Sequence, residues 1–115
     1  MTVQNISVTD MIEFADKRRV RKKILSEPLL EAELVCYEPG QGTQEHFHKT
    51  QEEIYYIVEG SGSITIDGET TAVKGGDMVF SPADVPHSIA AAEDERMVMF
   101  FVKGPGQTMA RKNEA

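Results

Sequence analysis

The chain carries three histidines, His46, His48 and His87, and their spacing is its first chemical signal. His46 and His48 are separated by one residue. In an extended strand side chains alternate, so residues i and i+2 point to the same face and both imidazoles aim at one point. After a polar bend over 49–52, a strand opening at Glu53 brings a carboxylate beside the two rings. His87 stands much later, behind a loop bracketed by Pro82 and Pro86. Two same-face histidines, a nearby carboxylate and a distant histidine make an N3O donor set. Such a set suits one divalent ion per chain, Fe, Mn, Ni, Co, Cu or Zn, and leaves one or two coordination positions for water or a ligand. Singly, each residue has a plainer reading, as a surface histidine pair, a satisfied histidine or a solvated carboxylate. Glu52 competes with Glu53.

The glycines and proline around these residues extend the pattern. Gly40, His46, His48, Glu53 and Gly60 follow G-x5-H-x-H-x4-E-x6-G, while Gly76, Pro82 and His87 follow G-x5-P-x-G-x2-H-x3-N. The pattern resembles the two motifs of the cupin superfamily, in the form of the small single-domain (cupin 2 type) metal-binding proteins. Asp84 stands where that family usually has Gly, and Ala91 where it often has Asn; neither is a ligand position. Asp tolerates a left-handed backbone better than most residues. Of the two carboxylates, only Glu53 keeps the gap to Gly60. The resemblance implies an all-β fold, the cupin double-stranded β-helix or jelly-roll barrel, with metal ligands His46, His48, Glu53 and His87. It also implies a choice among dioxygenase, isomerase, lyase and decarboxylase chemistry, or a non-catalytic binding or sensing role.

The local patterns that must position these residues agree with an all-β chain. Short alternating or apolar runs over 29–37, 43–48, 53–59, 61–66, 69–73, 77–80, 87–91 and 96–102 read as strands divided by Gly, Pro and Asp turns. Asp67-Gly68 is a strong two-residue hairpin signal. A short N-terminal helix is expected over 5–16, where Ser7 and Asp10 resemble a capping box and Val8, Met11, Ile12 and Ala15 share a face. The basic run 17–23 reads either as an anion or partner patch or, preferably, as a solvated edge whose charges discourage aggregation. One domain spans 1–115, with a barrel over about 20–104 and a flexible tail over 105–115.

Parity assigns the lining of the site. With Glu53 inward, Tyr55 and Ile57 are inward and Ile54, Tyr56 and Val58 outward; Phe47 is outward as well. Gln44 shares the face of His46, and Ile89 that of His87. The expected pocket is therefore Gln44, Tyr55, Ile57 and Ile89, mostly apolar and without a charged clamp. Tyr55 is the candidate catalytic group, as hydrogen-bond donor or general acid; its plainer reading is a core tyrosine. The apolar outward run calls for cover by another sheet, the N-terminal segment or a second subunit, and a homodimer is expected.

Composition narrows the partners. The 115 residues hold 12 Lys and Arg against 19 Asp and Glu, a net charge of −7. That balance argues against nucleic acid or an anionic membrane and fits a small-molecule substrate or ligand. The single cysteine, Cys36, excludes an internal disulfide or a Cys-cluster zinc site and reads as a buried inert thiol. With no apolar run long enough to span a bilayer and no visible export signal, the expected compartment is the cytoplasm. The leading functional expectation is a mononuclear metalloenzyme, dioxygenase-like or an isomerase or lyase; the alternative is a non-catalytic sensing module.

Overall fold

Along residues 52–57 exposed and buried side chains alternate without a break, so one face of this strand is core and the other is exterior. The computed structural model describes residues 3–114; Met1, Thr2 and Ala115, the last residue of the expected tail, lie outside the described residues. Eight strands carry the fold: β1 (Val20–Ser26), β2 (Glu31–Tyr37), β3 (Gly42–His46), β4 (Glu52–Ile66), β5 (Glu69–Lys74), β6 (Met78–Ser81), β7 (His87–Ala91) and β8 (Met97–Gly104). They pair antiparallel in two groups. β1, β2, β8, β4 and β6 form one sheet; β3, β7, β4 and β5 form the other. The sheets curl over one core that includes Tyr37, Ile57, Ile64, Met97 and Met99, each no more than 1% exposed.

β4 belongs to both sheets. Its first half pairs with β8 and β6 and its second half with β5 and β7. The two runs expected on either side of Gly60 are thus one bent strand, with a bulge between Ile57 and Glu59. Gly60 sits at φ +85°, and a Cβ there would overlap the Arg96 carbonyl oxygen. Only glycine meets both conditions, since it alone takes positive φ cheaply and has no Cβ. The hairpin from β4 to β5 turns at Asp67 and Gly68, both at positive φ, as a two-residue turn between twisted strands requires. Asp84 also adopts a left-handed backbone, φ +63°.

The termini depart from expectation. In place of a helix over 5–16 there is a single 3-10 turn, Val8–Met11, and Ser7 makes no side-chain cap. A helix this short gains little by itself; the segment is held instead by packing. Val8, Met11, Ile12 and Phe14 lie on Leu34, Cys36 and Val98 of the outer sheet face, which buries both faces of β2. Burial pushes the Cys36 thiol up, as an inert core cysteine requires. At the other end the expected tail carries α1, Gln107–Glu114. Its Gln107 backbone N–H donates to Glu31 at 2.6 Å, and Thr50 donates to Glu114 at 3.0 Å. No helix among the described residues is long and apolar enough to cross a membrane.

Candidate metal centre

Three different parts of the chain deliver the imidazoles. His46 ends β3, and His87 opens β7 directly opposite it in the ladder. His48 lies two residues past the end of β3, on a bend fixed by the Asp84 N–H donating to the His48 carbonyl at 2.8 Å. Strand alternation alone therefore does not place His48; the bend returns its ring to the other two. The ring centroids of His46 and His87 are 4.2 Å apart, and those of His46 and His48 5.1 Å. One nitrogen from each of the three lies within 4.8 Å of the others. Phe47 points outward, as expected.

Hydrogen bonds set the tautomers. The Nδ1 of His46 is 2.8 Å from the Gln44 carbonyl, and that of His87 is 3.2 Å from the Val85 carbonyl. A carbonyl only accepts, so these contacts are satisfied in the tautomer with the proton on Nδ1, which leaves each Nε2 a lone pair; the Ser81 hydroxyl lies 3.3 Å from the same His87 nitrogen. Those two Nε2 atoms face each other at 3.0 Å. Burial lowers the His87 pKa, which favours the neutral ring that coordination needs.

Glu53 is buried and completes the cluster. One carboxylate oxygen is 3.1 Å from His48 Nε2, and the other is 3.6 Å from His87 Nε2. Burial alone would raise its pKa, but hydrogen bonds from His48 and Tyr55 outweigh it and hold the carboxyl below its ordinary range. Glu52 is exposed on the opposite face. Tyr55 donates its hydroxyl hydrogen to Glu53. Burial and the Glu53 charge push that hydroxyl far upward, so it stays protonated and holds the carboxylate. In this placement Tyr55 positions the carboxylate, and it also lines the cavity.

The donor set fits a divalent cation. At metal–nitrogen bonds of about 2.1 Å, nitrogens on adjacent octahedral positions lie about 3 Å apart, the spacing of His46 and His87. Two lone pairs facing each other and a charged carboxylate form a centre of negative potential that a cation relieves. The backbone carbonyls of Gln44 and Val85 are the outer partners that fix ring orientation in such sites. Gln44 contributes there through its main chain.

The cluster opens into a cavity of about 590 Å3 whose lining corrects the expected pocket. Gln44, Tyr55 and Ile89 line it. Ile57 does not; it is wholly buried in the core behind Tyr55. The absence of charge is also overturned, because Arg19, Arg21 and Lys103 reach the same cavity. Arg19 and Arg21 come from the basic run; β1 is an edge strand, as expected, and Arg21 borders the cavity while its side chain stays 54% exposed. Lys103 follows Met97, Met99 and Phe101 at period two along β8, and these are buried. Parity from that apolar run would have found it.

Comparisons with known proteins agree with this geometry. The family model described as "Cupin domain" matches residues 33–103, more than half of the chain. An uncharacterized protein of Methanocaldococcus jannaschii is 50% identical over 50 residues, 44% of this chain and 40% of that protein. A Thermotoga maritima protein named "Oxalate-binding protein" is 37% identical over 51 residues, 44% of this chain and 42% of that one. The chain spans about half or less of the curated relatives it matches. A crystal structure from Thermus thermophilus superposes with a TM-score of 0.84 at 18% identity, over 90% of this chain and 98% of that one. With the family model covering both motifs and the strands between them, this chain belongs to the cupin family.

Proposed function

We propose that the protein is a mononuclear metal-dependent cupin enzyme acting on a small organic metabolite bound in the barrel cavity. The observation that carries this is the convergence of three imidazole nitrogens and the Glu53 carboxylate at the floor of an open cavity. His46, His48, His87 and Glu53 are the residues to hold the ion. A divalent ion bound there supplies Lewis acidity and, if redox-active, electron transfer. The chain's own groups do the rest. The Gln44 and Val85 carbonyls keep the imidazoles in the coordinating tautomer, and Tyr55 keeps Glu53 ionised and aimed. No fourth histidine is available as a base. A dioxygenase-type reaction is the reading the N3O set favours, with isomerase or lyase chemistry next.

The test is metal analysis of anaerobically purified protein, followed by oxygen uptake with a metabolite panel. About one divalent ion per chain and substrate-dependent oxygen consumption are expected. Absence of metal after purification and after adding Fe(II), Mn(II), Ni(II) or Zn(II) would sink the reading. A second reading, a non-catalytic binding module, is favoured by the Thermotoga maritima relative, which is named an oxalate-binding protein. Saturable binding of a metabolite that is never converted would select it.

A further inference from the structure

Of the cations that line the cavity, Arg21 is ion-paired and Lys103 is not. Glu33 is paired with Arg21 at 2.6 Å. Glu31 takes Lys23 at 3.5 Å and the Gln107 N–H at 2.6 Å. Glu53 is engaged by His48 and Tyr55. Lys103 is only 9% exposed, and it stands in the ladder directly between Glu53 of β4 and Glu31 of β2. Among the described residues, no carboxylate lies within 4.0 Å of its ammonium. Its nearest recorded interaction is the face of Phe101, with the ring centroid 5.8 Å away. Arg19, on the same cavity wall, also has no ion pair among the described residues.

Among the described residues no buried side-chain nitrogen lacks a hydrogen-bond partner, so the Lys103 ammonium, which makes none, is open to the cavity that the residue lines. Glu31 and Glu33 are engaged by cations of β1 and Glu53 by the histidine cluster, so an anion entering the cavity finds the Lys103 ammonium free for a charge-assisted contact. Directly opposed ladder residues share a face, so Lys103 and Glu53 open onto the same space, and Lys103 lies one strand away from the candidate metal ligand.

We infer that Lys103, assisted by Arg19, is an anion subsite, and that the ligand of this cavity is a small carboxylic acid. One of its carboxylate oxygens meets the Lys103 ammonium while a second oxygen donor faces the histidine cluster. This inference rests on the metal-site reading for its second contact and on Lys103 alone for its first. It names the ligand class that an apolar pocket would have excluded. The charge-assisted contact also discriminates: a neutral amide of the same shape offers the ammonium a carbonyl but no counter-charge.

The experiment is calorimetric titration of Mn(II)-loaded protein with acetate, oxalate, malonate and succinate, and with oxamide and malonamide as neutral counterparts. At least one acid should bind saturably, and its diamide about tenfold more weakly or not at all. Lys103→Met should weaken acid binding about tenfold or more while keeping the metal content and melting temperature of the parent; Lys103→Arg should restore part of it. Lys103→Gln provides a second neutral variant if the methionine protein folds poorly. Equal binding of acids and amides, unchanged acid binding in folded Lys103→Met or Lys103→Gln, or no acid binding to metal-loaded protein would each overturn the inference. Failure to load Mn(II) would count against the metal reading only. The same titrations on metal-free protein would then decide the Lys103 subsite, since its contact remains and its loss in Lys103→Met still marks it.

Discussion

The Nε2 atoms of His46 and His87 face each other at 3.0 Å, and the Nδ1 of each ring lies against a backbone carbonyl that favours a proton there. In that tautomer neither Nε2 has a proton to share with the other, so the pair is arranged for a shared cation. His46→Ala or His87→Ala should therefore abolish metal retention rather than weaken it slightly. The check is metal content after dialysis, together with the melting temperature with and without added Mn(II). The parent should be stabilised by the ion, because a ligand that binds only the folded state adds stability by mass action. The variants should not be. Equal metal content in parent and variants would contradict the assignment.

Tyr55→Phe isolates the positioning role. The substitution keeps the ring and removes the hydroxyl, the one hydrogen-bond donor to the second oxygen of Glu53 among the described residues. Leaving a buried carboxylate oxygen short of a donor costs about 1–3 kcal/mol. Loss of that hydrogen bond should also raise the Glu53 pKa towards its ordinary range. Metal should then be released at a higher pH than in the parent, while retention at pH 8 is nearly unchanged. A pH series of metal occupancy reads this directly; superimposable curves would remove Tyr55 from the site.

The candidate ligands were legible because a metal-type motif concentrates chemical meaning into few residue types at fixed spacing. His46, His48, Glu53 and His87 come together although His48 lies beyond β3, because motif spacing carries the bend as well as the strand. Alternation likewise reads correctly along β4, where Ile54 and Tyr56 are exposed and Tyr55 and Ile57 buried. What stayed hidden depends on tertiary context. The basic run reads as a solvated edge, which β1 is, but nothing in 17–23 says that Arg19 and Arg21 border the cavity. Gly60 reads as a strand end because glycine marks both turns and bends; the close approach of the Arg96 carbonyl makes it a bend. Gln107–Glu114 reads as a tail because its stability comes from contacts with Glu31 and Thr50, far away in sequence.

The acid limb of stability should carry the signature of His87. Burial holds its folded pKa below the unfolded value of about 6.5. Between the two values the unfolded chain binds more protons, so stability falls as pH falls. The contribution is fully present above about pH 6.5 and is lost as pH drops through the folded value. Glu53, also depressed, adds a second loss beginning below about pH 4.3. Urea midpoints of metal-free protein should therefore decline between pH 7.5 and 5.5, and His87→Gln should flatten that decline. A parent midpoint independent of pH over this window would contradict the neutral buried histidine.

The outer face of the larger sheet is only half covered, and the bare half predicts the quaternary structure. The N-terminal segment packs over Leu34, Cys36 and Val98, and Val58 and Phe100 pack on the same cluster. Beyond it, Ile54 is paired across the ladder with Phe80, and Tyr56 with Met78; these four side chains are between 44% and 59% exposed. They form an uncharged plate continuous with the covered half, on a chain of net charge −7. Two copies that would repel each other over most of their surfaces can meet plate to plate, and a two-fold contact needs only one such self-complementary patch. A homodimer is the expected state in sedimentation equilibrium or light scattering. Tyr56→Lys combined with Phe80→Glu should give a folded monomer, because both charges would be buried at the contact. Metal content should be unaffected, since the plate lies on the opposite face of β4 from Glu53. A monomeric parent at micromolar concentration, or a double variant still dimeric, would reject the plate as the interface.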